Sequence, residues 1–236
     1  MQMRCQIADL KVEIPEAGGM APRCRDYLTT EEGCADIIIR ADLYRSDNYL
    51  GWDEKDIAYM ESCWQFCRQL LNHDGMYLHA SAVELDGRAY LFSGPSGMGK
   101  STHTRLWQSL FPEARVFNDD KPALRKLDGR WYAYGTPWCG KDGININMKV
   151  PLAGICFLRR GQENTIRRLT PIEAARYIIS QTMRRFKNEE GLDLMLDRVN
   201  KLVVDVPVYE LYNLPEPAAA QLSFETMRRG AEEIGL

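Results

Sequence analysis

Gly94-Pro95-Ser96-Gly97-Met98-Gly99-Lys100-Ser101, followed by Thr102, fills every fixed position of the pattern G-x-x-x-x-G-K-[ST]. The apolar and aromatic run Arg88 to Ser93 leads into it as a buried strand. Ser101 to Leu110 leads out of it as a helix that stops near Pro112. Strand, glycine loop and helix in that order make a phosphate cradle. Glycines let backbone N–H groups turn inward on phosphate oxygens, and the helix macrodipole puts partial positive charge behind them. Lys100 would reach the outer phosphates and Ser101 would hold Mg²⁺, so Gly94 to Thr102 is the expected binding segment for a nucleotide such as ATP. The other reading is a glycine-rich turn with Lys100 and Ser101 merely solvated. It leaves the agreement of all fixed positions and both flanks without a cause.

Upstream, Tyr77 to Leu85 and Arg88 to Ser93 are joined by Asp86-Gly87, a dipeptide suited to a two-residue type I′ turn. The loop is therefore fed by an antiparallel hairpin, whereas a parallel βαβ series is the usual feed, and this order predicts a mixed sheet. Period-two alternation puts His79 and Ser81 on one face, opposite Leu78, Ala80 and Ala82. His79 reads either as a neighbour of the phosphates or as a structural histidine satisfied within the sheet. Downstream, the strand Ala114 to Phe117 runs into Asn118-Asp119-Asp120. Adjacent carboxylates at such a strand end can divide two tasks, one receiving a hydroxyl proton and the other engaging Mg²⁺. An acidic turn ahead of Pro122 would have the same composition.

From His79 through Asp120 the chain resembles the catalytic domain of HPr kinase/phosphorylase and its small kinase-like relatives, whose phosphate-binding core is shared with ATP-dependent phosphoenolpyruvate carboxykinases. The resemblance rests on the histidine before the loop, the glycine of the hairpin turn, the G-x-S-G-x-G-K-S form of Gly94 to Ser101 and the Asp-Asp pair. It implies an α/β fold with a mixed sheet around a P-loop, the core of the HPr kinase C-terminal domain and of PEP carboxykinase. It also implies that His79, Lys100 and Asp119 are catalytic, that Ser101 is a Mg²⁺ ligand, and that Asp120 is a second acidic contributor to catalysis and to the metal. The chain then departs from that family. HPr kinases carry a Mg²⁺-binding glutamate and an arginine at the opening of their next conserved loop. The region here, Tyr134-Gly135-Thr136-Pro137-Trp138-Cys139-Gly140-Lys141-Asp142-Gly143, has no glutamate. This weighs against phosphorylase activity and against HPr as acceptor, and points to a divergent relative of the kind found among peptide-modifying enzymes. The loop reads as a substrate-facing lid or as a structural crossover with Trp138 in the core.

Farther out, residues 2–14 read as a strand stopping at Pro15, Ala35 to Ala41 as another, and Ala17 to Pro22 as a loop between them. A helix is predicted from Asp53, its N-cap, to His73, with Gly75 as its stop and Ile57, Met60, Trp64, Cys67 and Leu71 as its buried stripe. Cys63 and Cys67 are one turn apart and read as packing, with no histidine or third cysteine at ligand spacing. Leu152 to Leu158 is a central strand ending in Arg159-Arg160, whose guanidiniums either bind a phosphate or anionic substrate or are solvated strand-end charges. Glu163 to Leu169 reads as its partner strand. Thr170-Pro171-Ile172-Glu173 is a capping box opening a helix with Ile172, Ala175, Ile179, Met183 and Phe186 on its apolar face and Arg184, Arg185 and Lys187 at its end. A helix over Leu192 to Val203, a strand over Val206 to Tyr212 and a helix over Pro217 to Arg229 complete the chain. Residues 1–75 are expected to pack on a P-loop core of residues 76–236.

The 236 residues, 45% hydrophobic and 27% charged, suit one large globular domain or one domain with an appendage. A formal net charge of −3 argues against a nucleic-acid binder, which needs a basic face. Seven cysteines without a C-x-x-C pair, together with the lack of a signal-type or spanning apolar segment, predict a cytoplasmic protein with reduced thiols and no membrane partner. The expected activity is ATP- and Mg²⁺-dependent phosphoryl transfer to a hydroxyl, with a peptide or protein serine as first choice of acceptor. A non-catalytic nucleotide-binding regulatory module, a small-molecule kinase and a carboxykinase-like enzyme are the alternatives, the chain being short for the last. ATP, GTP and pyrophosphate are not separated as donors, and resemblance to a hexameric family leaves a homo-oligomer open.

Overall fold

The computed structural model describes residues 2–16, 18–44, 49–182, 186 and 189–236. The N-terminal segment read as one strand is a hairpin of β1 (Gln2–Ile7) and β2 (Leu10–Pro15), closed where Ile7 pairs with Leu10. Ala8 and Asp9 both take positive φ there, 53° and 58°, so the turn carries no glycine to announce it. β3 (Ile37–Ile38) adds parallel to β2 and is much shorter than the run Ala35 to Ala41 suggests. The expected loop between them contains a short helix, α1 (Met20–Cys24), with Met20 and Cys24 buried; Ala17 lies outside the described residues.

Helix α2 (Glu54–Leu70) starts as expected, with the Asp53 carboxylate accepting from the Asp56 amide at 2.8 Å. It ends through a 3-10 turn at Leu71–His73, where Asp74 takes the left-handed conformation with φ 53°. Gly75 is the first residue of β4 (Gly75–Tyr77), and it is small because Leu70 and Arg125 already fill the space of a side chain. The buried face is also rotated from the predicted stripe. Ala58, Cys63, Phe66, Cys67 and Leu70 go to the core, whereas Ile57, Met60 and Trp64 stay half-exposed.

Among the described residues the large sheet has nine strands and is mixed and curled. β5 (Ala80–Leu85) and β6 (Arg88–Ser93) form the predicted hairpin, with Asp86 at φ 54° and Gly87 at φ 72°. β7 (Arg115–Asn118) pairs antiparallel on the far side of β5. A second hairpin, unforeseen in the sequence, joins β8 (Ala123–Leu127) to β9 (Arg130–Tyr134) through Asp128-Gly129. β10 (Lys149–Arg160) pairs antiparallel with β9 over its first three residues and then parallel with β6, so one long strand carries the curl. β12 (Val208–Asn213) pairs parallel with β10. β11 (Thr165–Arg168), expected beside β10, pairs antiparallel with β12 instead.

Tyr77 to Leu85 is therefore not one strand. Tyr77 pairs with Ala123 of β8, while Ala80 pairs with Ser93 of β6, so the chain breaks at Leu78-His79 as it passes between two parts of the sheet. β6 alternates sides: Tyr90 and Phe92 face a cluster with Trp107 and Met227, and Ala89 and Leu91 face the larger cluster with Phe66, Ile178 and Val199. Helices α3 (Lys100–Leu110) and α6 (Pro217–Glu233) cover the first side, and α2, α4 (Pro171–Gln181) and α5 (Glu189–Asp205) cover the second. α4 opens with the predicted capping box, the Thr170 amide donating to Glu173 at 2.9 Å. Its buried residues are Ala174 and Ile178; Ile172, placed on the apolar face by spacing, is 72% exposed. Met183, Arg184, Arg185 and Lys187 lie outside the described residues.

Candidate active site

The glycine loop leaves β6 at Ser93, whose hydroxyl donates to the His79 carbonyl at 2.8 Å and ties the loop's entrance to the chain break. Gly94 takes φ 142°, and a Cβ there would stand 3.3 Å from the Leu158 carbonyl oxygen. Gly97 (φ 78°) and Gly99 (φ 96°) border open space, and their amides donate to no acceptor among the described residues. Gly99 caps α3, so the loop ends at the positive end of the helix. Lys100 Nζ now donates to the carbonyls of Gly94 at 2.9 Å and Pro95 at 3.4 Å. Burial holds its pKa below the ordinary lysine value, against the pull of the Asp120 charge. Ser101 and Thr102 sit on the first turn of α3. The helix is anchored from behind, where Trp107 Nε1 and His103 Nε2 both donate to Ser223 Oγ of α6, at 2.9 and 3.0 Å. The Ser223 hydroxyl is spent on the Ala220 carbonyl, which assigns the proton of His103 to Nε2.

Strand pairing brings the acidic pair to the other side of the opening. Asn118 of β7 lies opposite Ala82 of β5, and the Ala80 amide donates to the Asp120 carbonyl at 3.0 Å, which sets Asp120 beside His79. Asn118 Oδ1 accepts from the amides of Asp120 and Lys121, at 3.1 and 2.8 Å, and this turn splays the two carboxylates apart. Asp120 Oδ1 stands 3.3 Å from His79 Nε2. Asp120 Oδ2 meets the Lys121 ammonium and accepts from the Tyr59 hydroxyl at 3.0 Å. Gln181, the last residue of α4, receives the His79 main-chain amide at 2.8 Å and holds its ring Nδ1 at 3.1 Å. Burial lowers the His79 pKa, reinforced by Lys100 and opposed by Asp120. Burial also disfavours the charged form of Lys121, but charged neighbours including Asp120 outweigh it and raise its pKa.

Asp119 turns the other way. Its carboxylate accepts from the amides of Gly140 at 2.6 Å and Asp142 at 3.0 Å, so it anchors the 135–143 loop. Burial raises its pKa against the two amides that stabilise the anion. The loop is a crossover on its first half, since Trp138 is buried, stacks on Phe66 at 4.6 Å between centroids and donates to Ser62 at 3.0 Å. Of the two strand-end arginines, Arg159 is taken by Glu210 at 3.3 Å and by the Tyr177 ring, while Arg160 reaches the Gly97 carbonyl of the glycine loop at 3.3 Å. A cleft of about 970 Å³ joins Pro95 and Ser96 of the loop to His79, Asp120 and Lys121, and its far wall is aromatic. Tyr59, Lys121 and Gln181 were missed in the sequence. Lys121 directly follows the acidic pair and was within reach of that motif; Tyr59 and Gln181 arrive only through folding.

A family model, described as SynChlorMet cassette protein ScmC, matches residues 46–213, well over half of the chain. The chain belongs to the ScmC family. In this ScmC-family member the matched segment contains the glycine loop, the His79–Asp120 contact, Lys121 and the whole described cleft wall. No curated protein matches the sequence. Among solved structures the chain is similar to the HPr(Ser) kinase/phosphatase from Coxiella burnetii, at 13% identity and a TM-score of 0.37, over 66% of this chain and 90% of that one. That likeness is too loose to bear on the chemistry of the ScmC-family site.

Proposed function

We propose that the protein is an ATP- and Mg²⁺-dependent phosphotransferase acting on a hydroxyl, with a peptide or protein serine as acceptor. The observation that carries this reading is one cleft in which Pro95 and Ser96 of the glycine loop, the loop that leads into the N-terminus of α3, meet a carboxylate–histidine–ammonium group. The donor set fits a triphosphate: the amides of Gly97 and Gly99, the Lys100 ammonium and the Ser101 hydroxyl, with Arg160 at the loop's edge. No cluster of three or more His, Cys, Asp or Glu occurs among the described residues. Mg²⁺ would rest on the Ser101 hydroxyl, phosphate oxygens and water, and the Asp120 carboxylate, read above as a metal contributor, is kept for the proton.

When bound, Mg²⁺–ATP supplies an electrophilic γ-phosphoryl group. Lys100 would leave the Gly94 and Pro95 carbonyls for the outer phosphate oxygens and stabilise the charge that develops there. Asp120, rather than Asp119, would take the acceptor's proton, because it borders the cleft while Asp119 is spent on the 140–142 amides. Lys121 and Tyr59 fix one carboxylate oxygen, and His79, set by Gln181, faces the other. The acceptor oxygen bonds to the γ-phosphorus as the bond to the bridging oxygen breaks, and ADP departs.

The test is single-turnover transfer of labelled γ-phosphate, run beside calorimetric nucleotide binding on the same preparations. Asp120→Asn should lower transfer by roughly two to four orders of magnitude and leave nucleotide affinity within a few-fold. Lys100→Ala should weaken nucleotide binding itself. Full transfer by Asp120→Asn with loss in Asp119→Asn would return the base to Asp119. Tight nucleotide binding with no transfer to any hydroxyl would make the protein a regulatory module.

A further inference from the structure

Helix α2 carries two apolar stripes where a core helix needs one. Ala58, Cys63, Phe66, Cys67 and Leu70 serve the core, whereas Met60 and Trp64 are half-exposed and border the cleft, Trp64 with one side against the core. The turn before the helix adds to this second surface. The Trp52 amide donates to the Tyr49 carbonyl at 3.1 Å across Gly51, leaving Leu50 92% and Trp52 48% exposed at the cleft's mouth. Tyr49 and Trp52 pack at 5.1 Å between ring centroids, and Trp64 meets Tyr77 edge-on at 6.0 Å. Trp52, Leu50 and the half-exposed Tyr49 and Trp64 thus line the cleft with apolar surface backed by the buried Tyr77, and apolar surface lining a polar cleft marks a place where something apolar binds.

Its position decides what binds there. In a strand–loop–helix cradle the helix end holds the inner phosphates and the lysine reaches the outer ones, so the nucleoside leaves on the helix side. The cleft meets the loop at the opposite end, at Pro95 and Ser96, and shares His79, Asp120 and Lys121 with the transfer chemistry. The aromatic wall thus faces the acceptor and not the base. At about 970 Å³ the cleft is near the top of the ~300–1,000 Å³ range of small-ligand sites and has room for more than the reacting residue.

We propose, building on the phosphotransfer reading, that this wall is a side-chain subsite for the acceptor peptide and takes an aromatic or large aliphatic residue next to the phosphorylated serine. Two synthetic heptapeptides test it, one with a central serine between tryptophan and phenylalanine and one with the same serine between alanines. The aromatic peptide should be phosphorylated with kcat/KM roughly ten-fold or more above its twin. Trp64→Ala and the rim variant Trp52→Ala should erase that preference through KM, Trp64→Phe should keep it, and Mg²⁺–ATP affinity should not change. Equal transfer to both peptides overturns the subsite. So does a loss of ATP affinity in Trp64→Ala with the acceptor KM unchanged, which would make the wall a platform for the base. An inert version of the aromatic peptide, its serine replaced by alanine, separates this proposal from the reading beneath it. If nothing is phosphorylated but calorimetry finds this peptide bound to wild type and not to Trp64→Ala, the subsite stands and the phosphotransfer reading fails. Failure of the inert peptide to bind wild type overturns the subsite.

Discussion

Asp119 and Asp120 are neighbours in sequence and strangers in the fold, because the turn held by Asn118 sends one carboxylate to the 140–142 amides and the other to His79 and Lys121. A charge-assisted bond to a backbone amide stabilises an anion about as well as an ion pair does, so both arrangements keep their carboxylates satisfied while only one borders the cleft. His103 is a second residue whose surroundings dictate its behaviour. Its Nδ1 is buried without a partner and burial pushes its pKa down to about 4. Between the unfolded value of ~6.5 and about 4 the unfolded chain binds more protons than the folded one, so stability present above pH ~6.5 is lost as the pH falls. Urea unfolding across that window should show wild type losing up to about 3 kcal/mol that His103→Gln does not lose. Parallel pH profiles for the two proteins would mean that the folded site accepts the charge.

The hairpin of β5 and β6 is the element that aims the glycine loop, and its register depends on a turn in which both central residues have positive φ. A Cβ added at Gly87 would meet nothing within 4 Å, so a substitution there carries a backbone penalty and no clash. Gly87→Ala should therefore destabilise by about 1–2 kcal/mol in urea titrations while leaving nucleotide affinity unchanged. A cost near zero would show that the turn relaxes without disturbing the pairing. Helix α2 illustrates how element and site are coupled. One face builds the core through Phe66 and its neighbours, and the adjacent face supplies Tyr59 to Asp120 and Trp64 to the cleft.

At the scale of the molecule the small N-terminal sheet and the large sheet share one hydrophobic cluster running from Met3 to Val208. Arg125 of β8 is the polar staple across that junction. It is buried and donates to the Ala8 carbonyl in the first hairpin turn at 2.7 Å and to the His73 carbonyl at the exit of α2 at 2.8 Å. Arg125→Met keeps much of the apolar stem but strands both carbonyls, and should cost about 2–4 kcal/mol of unfolding free energy. A loss below about 1 kcal/mol would mean that water replaces the guanidinium there. A second junction ties α1 to the loop after β9, where Asn145 Nδ2 donates to the Arg23 carbonyl at 2.7 Å and Arg23 donates to the Cys139 carbonyl at 3.2 Å. No helix among the described residues is long and apolar enough to cross a membrane.

What the sequence determined by itself is local. The strand, glycine loop and helix around Gly94, the Asp86-Gly87 turn, the Asp53 cap and the Thr170 capping box each depend on residues a few positions apart, whose backbone preferences survive any tertiary setting. The mixed character of the sheet followed from the hairpin alone. The turn at Ala8-Asp9 was illegible because non-glycine residues hold positive φ there only under the pull of strand pairing on both sides. The break at His79 was equally hidden, since Tyr77 and Ala80 alternate like one strand until β8 and β6 claim them separately. Tertiary structure alone decided which aspartate borders the cleft, which face of α2 is buried, and that Trp138 belongs to the core. Each is a choice among alternatives that cost the isolated segment nothing, and only long-range packing and hydrogen bonding separate them.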